Sequence, residues 1–511
     1  MKLKITDDKR FLQIVDSTQL EYDQILSSFS KKPDNWFIIR KKLPHWDGEI
    51  RFIDKYNRIP IGLWGEVKNL SKKYNFPLII EGENNFQDPD FFEEDFENWL
   101  VGYFENSSII PRKYQVEAAK RAIKYMNCIE EISTSGGKTL IAYVIFRYLL
   151  DRKGLKKMLY VVPNISLVEQ TEDKFKEYEE KVNNENTSWK SIGIYGGSGR
   201  KGEEDATIIF GTYQSLSKRN LEYFGKFDAV IIDETHHAKS NSIKNILVKC
   251  YNAKWKIGLT GSLPKEGSCD SFTIQAYLGP MVYQVHPYQL IEEGNATPVH
   301  VIGIEMDYIS EDVKKNLYEL RMQNSEEKDG AKLLNLEKQI AREDRKRLLY
   351  ICDIISKAKK NALVLFSDIK NSYGRNIYDW LRENTSKNVY YIDGNTEAER
   401  REFYKSKMEN ESEVVLVASI GVFSEGIDIL NLHNIYIVES SKSEIIVRQM
   451  LGRGMRLMDG KEKITVFDFS DNFQYGTHPW QKRNYLLRHA DERRKIYKNK
   501  RFPYKLFKVK L

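Results

Sequence analysis

The stretch EISTSGGKTL, residues 131–140, determines how the rest of the chain is interpreted. Small residues followed by Gly137, Lys138 and Thr139 are typical of a loop whose backbone N–H groups close around phosphate oxygens. Ile132 stands where the usual G-x-x-x-x-G-K-S/T pattern has its first glycine. The apolar segment TLIAYVIFRYLL that follows predicts a helix, whose positive N-terminal end favours a bound phosphate. The stretch therefore predicts a nucleotide-binding α/β domain.

A pair of carboxylates supports the same kind of domain. The segment AVIIDETHH, residues 229–237, places Asp233 and Glu234 directly after a short apolar strand. A carboxylate at the C-terminal end of such a strand lies beside the phosphate loop of a doubly wound sheet. Asp233 and Thr139 are therefore candidates to hold Mg²⁺, and Glu234 is a candidate general base for the attacking water. An isolated Asp-Glu pair would more often be a solvent-exposed turn.

Two arginines form the third pattern. The segment IIVRQMLGRGMR, residues 445–456, contains Gln449, Arg453 and Arg456, and arginines three apart share one helix face. Guanidinium groups suit the charge of a transferring phosphoryl group, although a basic face that binds only counter-ions is the alternative. Because these arginines fall in a second α/β unit, they reach the nucleotide only if it binds between two domains. Hydrolysis would then be coupled to domain closure.

Apolar runs indicate how the chain is organised. Two sets of short runs, separated by helix-length segments, predict two tandem doubly wound parallel-sheet domains of the α/β class. The runs lie at residues 158–163, 207–212, 229–233 and 256–261, and then at 362–367, 389–393, 414–419, 435–440 and 464–469. We predict a small N-terminal α+β domain (1–85), a first α/β domain (86–300), a second (301–480) and a basic C-terminal extension (481–511). The helical segment 326–360 is expected to bridge the two α/β halves.

Composition excludes several classes of protein. The chain has 511 residues, 41% of them hydrophobic, and a net charge of +7. No apolar stretch approaches the roughly 20 residues that span a bilayer, and the N-terminus lacks an apolar signal core. The four cysteines form no C-x-x-C pair, so neither a zinc site nor a disulfide framework is predicted. We expect a cytoplasmic protein without a membrane partner.

Positive charge is concentrated at the C-terminus. Residues 481–511 contain 12 Lys/Arg against Asp491 and Glu492, a net charge of +10, which leaves −3 for the other 480 residues. Interleaved aromatic residues can stack on bases, so Arg493, Arg494 and Lys495 are candidate nucleic-acid contacts. A solvated basic helix that only confers solubility is an equal alternative.

Taken in order across residues 112–456, these motifs resemble those of superfamily 2 helicases of the DExH type, which have two RecA-like domains. The resemblance implies ATP and Mg²⁺ as cofactors. It adds the adenine-reading residues Arg112 and Gln115, the loop residues Thr134, Ser135 and Gly136, and the second-domain nucleotide contacts Gly426 and Asp428. It also implies nucleic-acid contacts at Pro163, Gln170, Thr212, Gln214 and Ser419, and coupling residues Thr260 and Ser262. In the helicase loop form A-x-T-G-x-G-K-T the first position is commonly not glycine, so Ile132 is a variant within the family. Gly261 departs from the usual coupling motif.

The flanking segments HWDGEIRFID, RIPIGLWGEVKNL and NYLLRHADERRKIY resemble those of phage recombination helicases. This resemblance implies ATP-dependent remodelling of branched DNA, such as Holliday junctions, stalled forks, D-loops and R-loops, in the cytoplasm of an infected host cell. RNA–DNA hybrids, single-strand-binding proteins and recombination proteins are further expected partners. An N-terminal nucleic-acid-binding domain would use Trp46 and Arg51. The segment PHWDGEIRF is equally a Trp-anchored hairpin with Asp47-Gly48 as its turn.

Two other functions fit the same motifs. One is a double-stranded DNA translocase, or restriction-type motor subunit, that hydrolyses ATP without separating strands. The other is a nucleic-acid annealing or clamp protein whose affinity is switched by ATP. Strand displacement on a forked substrate would distinguish the helicase from the translocase.

Overall fold

The computed structural model divides the chain into two compact units, Met1–Val285 and His286–Leu511. It describes residues 1–34, 36–182, 189–194, 202–323, 326–367, 372–422, 429–439, 450–476 and 483–511. No helix in these ranges is both long enough and apolar enough to cross a membrane.

The first unit begins with a small α+β domain. Its four-stranded sheet has the order β5-β2-β1-β6, and a two-stranded sheet pairs β3 with β4. The strands are β1 (Lys2–Ile5), β2 (Phe11–Asp16), β3 (Ser30–Lys31), β4 (Ile50–Arg51), β5 (Arg58–Pro60) and β6 (Ile79–Glu81), and the helices are α1 (Gln19–Ser28), α2 (Trp36–Lys42) and α3 (Trp64–Tyr74). Thr18 and Glu21 cap α1 reciprocally, as a Thr-x-x-Glu sequence predicts.

A seven-stranded parallel sheet forms the rest of the first unit, in the order β13-β7-β12-β11-β8-β10-β9. Its strands are β7 (Asn127–Ile132), β8 (Met158–Val162), β9 (Ser191–Ile194), β10 (Ile208–Thr212), β11 (Ala229–Asp233), β12 (Trp255–Thr260) and β13 (Met281–Val285). The helices are α4 (Glu93–Phe104), α5 (Lys113–Tyr125), α6 (Lys138–Lys153), α7 (Ile165–Val182), α8 (Tyr213–Leu216), α9 (Leu221–Phe224), α10 (Asn241–Lys249) and α11 (Cys269–Leu278). All four apolar runs of the first predicted set are strands of this sheet.

The small N-terminal domain and this sheet share a core. Phe272 of α11 lies in the same buried cluster as Leu3 and Leu12 of the small domain. Its ring packs edge-on against Phe29, with 5.3 Å between the ring centroids. The N-terminal domain is therefore packed against α11.

A second seven-stranded parallel sheet forms the second unit, in the order β16-β17-β15-β18-β19-β14-β20. Its strands are β14 (Val299–Asp307), β15 (Ala362–Phe366), β16 (Val389–Ile392), β17 (Val415–Ser419), β18 (Asn434–Ile437), β19 (Ile464–Asp471) and β20 (Tyr504–Lys510). The helices are α12 (Pro287–Glu292), α13 (Glu311–Gln323), α14 (Glu326–Glu343), α15 (Arg345–Ser356), α16 (Tyr373–Asn384), α17 (Ala398–Asn410) and α18 (Tyr485–Asn499). All five runs of the second predicted set supply strands here.

The basic segment 481–511 is not an appended extension. Strand β20 pairs with β14 as the last strand of the sheet, and α18 packs against β19. Arg493 of α18 is fully buried and makes bonds of 2.6–3.0 Å to the Asp468 carboxylate. The Tyr497 hydroxyl donates to the same carboxylate at 2.9 Å. The described part of this segment belongs to the core of the second unit.

Two other expectations differ from the structure. The second unit begins at His286, so residues 286–300 belong to it and not to the first α/β domain. The segment 326–360 does not bridge the halves, because it forms α14 and α15 within the second unit. The two helices are separated at Asp344, whose carboxylate accepts from the Arg347 backbone N–H and caps α15.

Candidate nucleotide site

The predicted phosphate loop connects β7 to α6. Ser135 and Gly137 have positive φ angles of 73° and 75°, so the loop turns sharply before the helix begins at Lys138. Ile132 is completely buried at the end of β7. The residue in the first glycine's place is therefore the last core residue of the strand, and it does not obstruct the loop.

Gln115 fixes this loop from the side. Its amide Nε2 donates to the Gly136 carbonyl at 3.0 Å, and its Oε1 accepts from the Arg112 N–H at 2.9 Å. The φ of 75° at Gly137 favours glycine, and a β carbon there would also lie 2.3 Å from Gln115 Nε2 and displace that amide. The predicted adenine-reading motif is thus in direct contact with the predicted phosphate loop.

Lys138 and the two carboxylates come together across the ends of β7 and β11. The Lys138 ammonium lies 3.3 Å from Glu234 Oε1, and the Glu234 N–H donates to Asp233 Oδ1 at 2.9 Å. Burial raises the pKa of Asp233 above its ordinary value. Burial also opposes ionisation of Glu234, but Lys138 and His236 hold the pKa of its carboxyl below the ordinary value. Glu234 is therefore ionised at neutral pH and able to accept a proton.

His236 is a site residue that the sequence reasoning did not single out. Its Nδ1 lies 3.4 Å from Glu234 Oε2 and 3.4 Å from Thr260 Oγ1. Thr260 Oγ1 in turn donates to the Ser262 carbonyl at 2.9 Å and accepts from the Ser262 N–H at 3.2 Å. His236 thus links the candidate base to the predicted coupling loop. The histidine in Asp-Glu-x-His was the signal that could have identified it.

Gly261, the departure from the usual coupling motif, lies against the phosphate loop. A β carbon there would lie 2.9 Å from Thr134 Oγ1 and 3.4 Å from Lys138 Nζ. The first distance is shorter than an ordinary van der Waals contact, so any side chain at 261 would press on the loop. The glycine permits close packing between the two motifs.

Two of the predicted nucleic-acid contacts of the first unit, Pro163 and Thr212, lie at the carboxyl ends of adjacent strands. β8 and β10 are neighbouring parallel strands, and Thr212 pairs with Val162 in their register. Pro163 therefore follows β8 beside Thr212 at the carboxyl end of the sheet. Thr212 is buried and caps α8 through a bond from the Ser215 N–H, whereas Gln170 and Gln214 are exposed. Gln170 and Gln214 can therefore be reached by a ligand from solvent.

In the second unit, Ser419 is buried at the end of β17. Arg453 and Arg456 are partly exposed in and after the short helical segment 450–454. Lys461 Nζ donates to the carbonyls of Gly454, at 2.7 Å, and Arg456, at 3.2 Å, which holds the chain there. Gly426, Asp428 and Gln449 lie outside the described residues.

The remaining predicted DNA contacts are mostly engaged within the protein. Arg494 is bonded to Glu305 at 2.9 Å and Asp491 at 2.8 Å, and Lys495 is exposed beside Glu492. Arg493 is fully buried, so the prediction that it contacts DNA is wrong. Its guanidinium forms an ion pair with the Asp468 carboxylate. In the small domain, the Trp46 indole donates to the Glu49 carbonyl at 3.0 Å.

Arg51 pairs with Asp47, and Gly48 has a φ of 90°. These contacts form the Trp-anchored turn at Asp47-Gly48 that was given as the alternative, but not its hairpin, because β4 pairs with β3 and α2 lies between them. They leave the Arg51 side chain half-exposed.

Comparison with known proteins gives two family matches. Residues 108–265 match the family of the Type III restriction enzyme res subunit, and residues 346–458 match the Helicase conserved C-terminal domain family. The ATP-dependent DNA helicase UvsW of Enterobacteria phage T4 is 30% identical over 512 residues, covering 97% of this chain and 97% of the relative. Putative helicase 22 of a Sulfolobus islandicus filamentous virus is 26% identical over 80% of this chain and 69% of the relative.

Among solved structures, a fragment of a putative HsdR subunit of a type I restriction enzyme from Vibrio vulnificus aligns with a TM-score of 0.54. It covers 82% of this chain and 72% of that chain at 19% identity. This likeness concerns the fold alone.

Proposed function

The chain belongs to the family of superfamily 2 ATP-dependent DNA helicases that includes UvsW of phage T4, and we propose that it remodels branched DNA. The predicted family and the two tandem RecA-like sheets are confirmed. Holliday junctions, stalled forks, D-loops and R-loops are the proposed substrates, in phage recombination, repair and replication. RNA–DNA hybrids and single-strand-binding or recombination proteins are proposed further partners, in the cytoplasm of an infected cell.

The contact between Lys138 and Glu234, at 3.3 Å, supports the ATPase chemistry best. It places the cation that would meet the β and γ phosphates next to the carboxylate that would deprotonate water. When Lys138 pairs with phosphate, Glu234 loses part of the attraction that lowers its pKa. The carboxylate then becomes a stronger base at the moment when substrate is bound.

Magnesium fits the oxygen donors at this site. Thr139 is the second residue of α6 and Asp233 ends β11, and hydroxyl and carboxylate oxygens are the ligands Mg²⁺ prefers. Within the described ranges no group of three or more His, Cys, Asp or Glu could hold a metal alone. That suits Mg²⁺, which keeps several waters and takes phosphate oxygens. The ion would neutralise charge on the phosphates, while Thr139 and Asp233 position it.

Arg453 and Arg456 of the second unit are proposed to stabilise charge on the transferring phosphoryl group. Coupling to DNA would pass through His236, which lies 3.4 Å from both the Glu234 carboxylate and Thr260. A shift of the Thr260–Ser262 loop would move His236 and alter the position of the base. The proposed DNA contacts Pro163, Thr212, Gln214 and Ser419 lie at the carboxyl ends of strands or within two residues of them, and Gln170 lies in α7, which follows β8.

Branch migration suits such a motor energetically. Opening each base-pair step costs about 1.4 kcal/mol of stacking on average. On a branched substrate, pairs broken on one arm are replaced by pairs formed on another. Contacts mainly to phosphates would give little sequence preference and a steep dependence on salt.

The test is Glu234→Gln. We expect this variant to bind forked DNA with the affinity of the unmodified protein but to lose ATP hydrolysis and fork regression, because the amide cannot accept the water's proton. Glu222→Gln, at an exposed position on α9, is the matched control and should retain both activities. Fork regression at an unchanged rate in Glu234→Gln would exclude the mechanism.

A motor that translocates on duplex DNA without separating strands is the second candidate. The match of residues 108–265 to the res subunit family favours it. Displacement of a third strand from a triplex, without strand separation on a fork or regression of it, would identify this activity. Fork regression would support the branched-DNA helicase.

A further inference from the structure

A polar cavity of about 330 Å³ lies in the second unit between α18 and the strands β14 and β20. The residues that matter for its chemistry are Glu305, Asn472, Arg483, Arg494, Leu506 and Lys508. None of these residues belongs to the nucleotide site, and only Arg494 is among the DNA contacts that the sequence predicts. The cavity is large enough for one phosphate with its sugar and too small for a duplex.

The floor of the cavity is a built hydrogen-bond network. Glu305 is buried, and its carboxylate accepts from Arg494 at 2.9 Å and from the Asn472 amide at 3.1 Å. Asp491 accepts from Arg483 at 3.0 Å and from Arg494 at 2.8 Å. Both arginines are therefore held in place before any ligand arrives, which lowers the entropy lost on binding.

The cavity carries an excess of positive charge. Two carboxylates face three cations, because Lys508 joins the two arginines at the rim. Its ammonium is 3.8 Å from Glu305, beyond hydrogen-bond distance, and its side chain is 73% exposed. Lys508 is free to bind an anion from solvent without breaking a strong ion pair.

Arg483 offers a second donor for the same anion. Its Nε is buried and has no hydrogen-bond partner within the part of the chain that the structure describes. A buried N–H without an acceptor is unfavourable, so a ligand oxygen that reaches it on a small shift of the Arg483 side chain would be stabilised. Guanidinium groups match the oxygens of a phosphate well.

The location of the cavity favours a strand of DNA as the source of that phosphate. Glu305 pairs with Lys508 and Ser470 in the parallel register, so the cavity is near the carboxyl ends of β14, β19 and β20. Ser419 is the last residue of β17, so it also lies at the carboxyl end of the sheet, five strands away from β20. With about 4.8 Å between strands, the two positions are about 24 Å apart along the edge. One nucleic-acid strand that follows the edge could contact both.

We propose that this cavity binds a backbone phosphate of a single DNA strand, held by Lys508 and Arg483, as a contact separate from the helicase motifs. The proposal rests on the proposed function, since it adds a contact for the same substrate. Such a contact would hold one arm of a branched DNA while the motor acts on another.

Lys508→Ala tests the proposal, with Lys505→Ala as the matched control. Both lysines are exposed on β20, but Lys505 is on the opposite face of the strand and lies beside the Phe507 ring. Binding of a single-stranded oligonucleotide is measured over a series of salt concentrations. We expect Lys508→Ala to reduce the slope of log K against log salt by about 0.7, the value for one phosphate contact on single strands. Lys505→Ala should retain the slope of the unmodified chain.

Three outcomes would contradict the proposal. If the salt slope of Lys508→Ala is unchanged, Lys508 does not contact a phosphate. If the slope falls equally in Lys508→Ala and Lys505→Ala, the effect is one of general surface charge. Titration with inorganic phosphate distinguishes a site for free phosphate from a site for DNA. If phosphate binds the unmodified chain but not Lys508→Ala, and both have the same salt slope for DNA binding, the cavity binds free anions and not DNA. If Lys508→Ala still regresses forks and its salt slope is unchanged, the phosphate contact in the cavity is contradicted but the proposed motor is not. If Glu234→Gln regresses forks at an unchanged rate, the proposed motor is contradicted.

Discussion

Glu130 is a buried acid in the middle of β7, two residues before the phosphate loop begins. Its side chain has no exposed surface, and neither carboxylate oxygen has a hydrogen-bond partner among the described residues. Burial raises the pKa of Glu130 well above its ordinary value, and the nearby Arg121 offsets only part of this effect. The carboxyl therefore remains protonated in the folded protein at pH values where it ionises in the unfolded chain.

This difference makes the stability of the first unit depend on pH. Below the ordinary pKa of 4.5 both states are protonated and Glu130 has no effect on pH dependence. As pH rises above that value the unfolded chain ionises first, so the free energy of unfolding falls by up to about 1.4 kcal/mol per pH unit. Glu130→Gln cannot ionise. We expect its melting temperature to exceed that of the unmodified chain increasingly from pH 5 to pH 8.

Differential scanning fluorimetry at a series of pH values measures this effect. Glu94→Gln, at an exposed position on α4, is the control and should follow the unmodified chain. A constant difference between Glu130→Gln and the unmodified chain across the range would show that Glu130 is not protonated in the folded state.

Individual site residues differ in how far the sequence can predict them. The loop from Thr134 to Thr139 is contiguous, so its chemistry can be read locally. The requirement for Gly261 depends on Thr134, which is distant in the sequence and close only after β12 and β7 have paired. Likewise, nothing in the local sequence distinguishes Arg493, which is buried, from Lys495, which is exposed.

At the scale of elements, the basic composition of α18 does not reveal that one face of this helix is buried. Its buried face carries Leu486, Leu487 and Tyr497 together with Arg493, whose guanidinium neutralises Asp468 in the middle of β19. Deleting residues 481–511 would therefore remove a core helix and an edge strand. It would unfold the second unit, so a loss of DNA binding by that deletion would say nothing about DNA contacts.

The Arg493–Asp468 pair gives a test of this role. Arg493→Met leaves Asp468 buried without its cation, and we expect a loss of about 3–5 kcal/mol of stability. Arg493→Met combined with Asp468→Leu removes both charges and should recover much of the loss. Lys495→Ala, on the same helix, should change stability by less than about 0.5 kcal/mol.

Chemical denaturation followed by tyrosine and tryptophan fluorescence measures these differences. A single Arg493→Met variant as stable as Lys495→Ala would contradict a core role for α18.

Strands were predictable where they are apolar along their whole length. β8, β11, β15 and β17 are runs of buried aliphatic residues, and the sequence predicts each of them. β7 was not predicted because Glu130 and Glu131 interrupt its apolar pattern. β20 was not predicted because it is the edge strand of the sheet, where its lysines remain exposed to solvent. Pairing between distant segments, which no local pattern records, decides both cases.

For the whole molecule, the sequence suggested four segments and the structure has two units. The small domain belongs to the first unit because Phe272 and Cys269 of α11 complete its core. Gly62 makes this packing possible, since a β carbon there would lie 2.1 Å from the Gln275 carbonyl. α11 also follows the Thr260–Ser262 loop in the chain. A DNA contact on the small domain would therefore act on a helix connected directly to the coupling loop.

The two units divide the proposed catalytic groups: Lys138, Asp233 and Glu234 are in the first, and Arg453 and Arg456 are in the second. If one bound ATP is acted on by both sets, their contributions cannot be independent. Glu234→Gln and Arg453→Ala should each slow single-turnover ATP hydrolysis by about 10³-fold or more. Since groups that act as one catalytic unit are strongly non-additive, the double variant should be no more than a few-fold slower than the slower single variant. Hydrolysis measured at saturating ATP and DNA, with Glu222→Gln as the control, separates the possibilities. Multiplied losses in the double variant would mean that the arginine acts elsewhere than on the phosphoryl group that Glu234 serves.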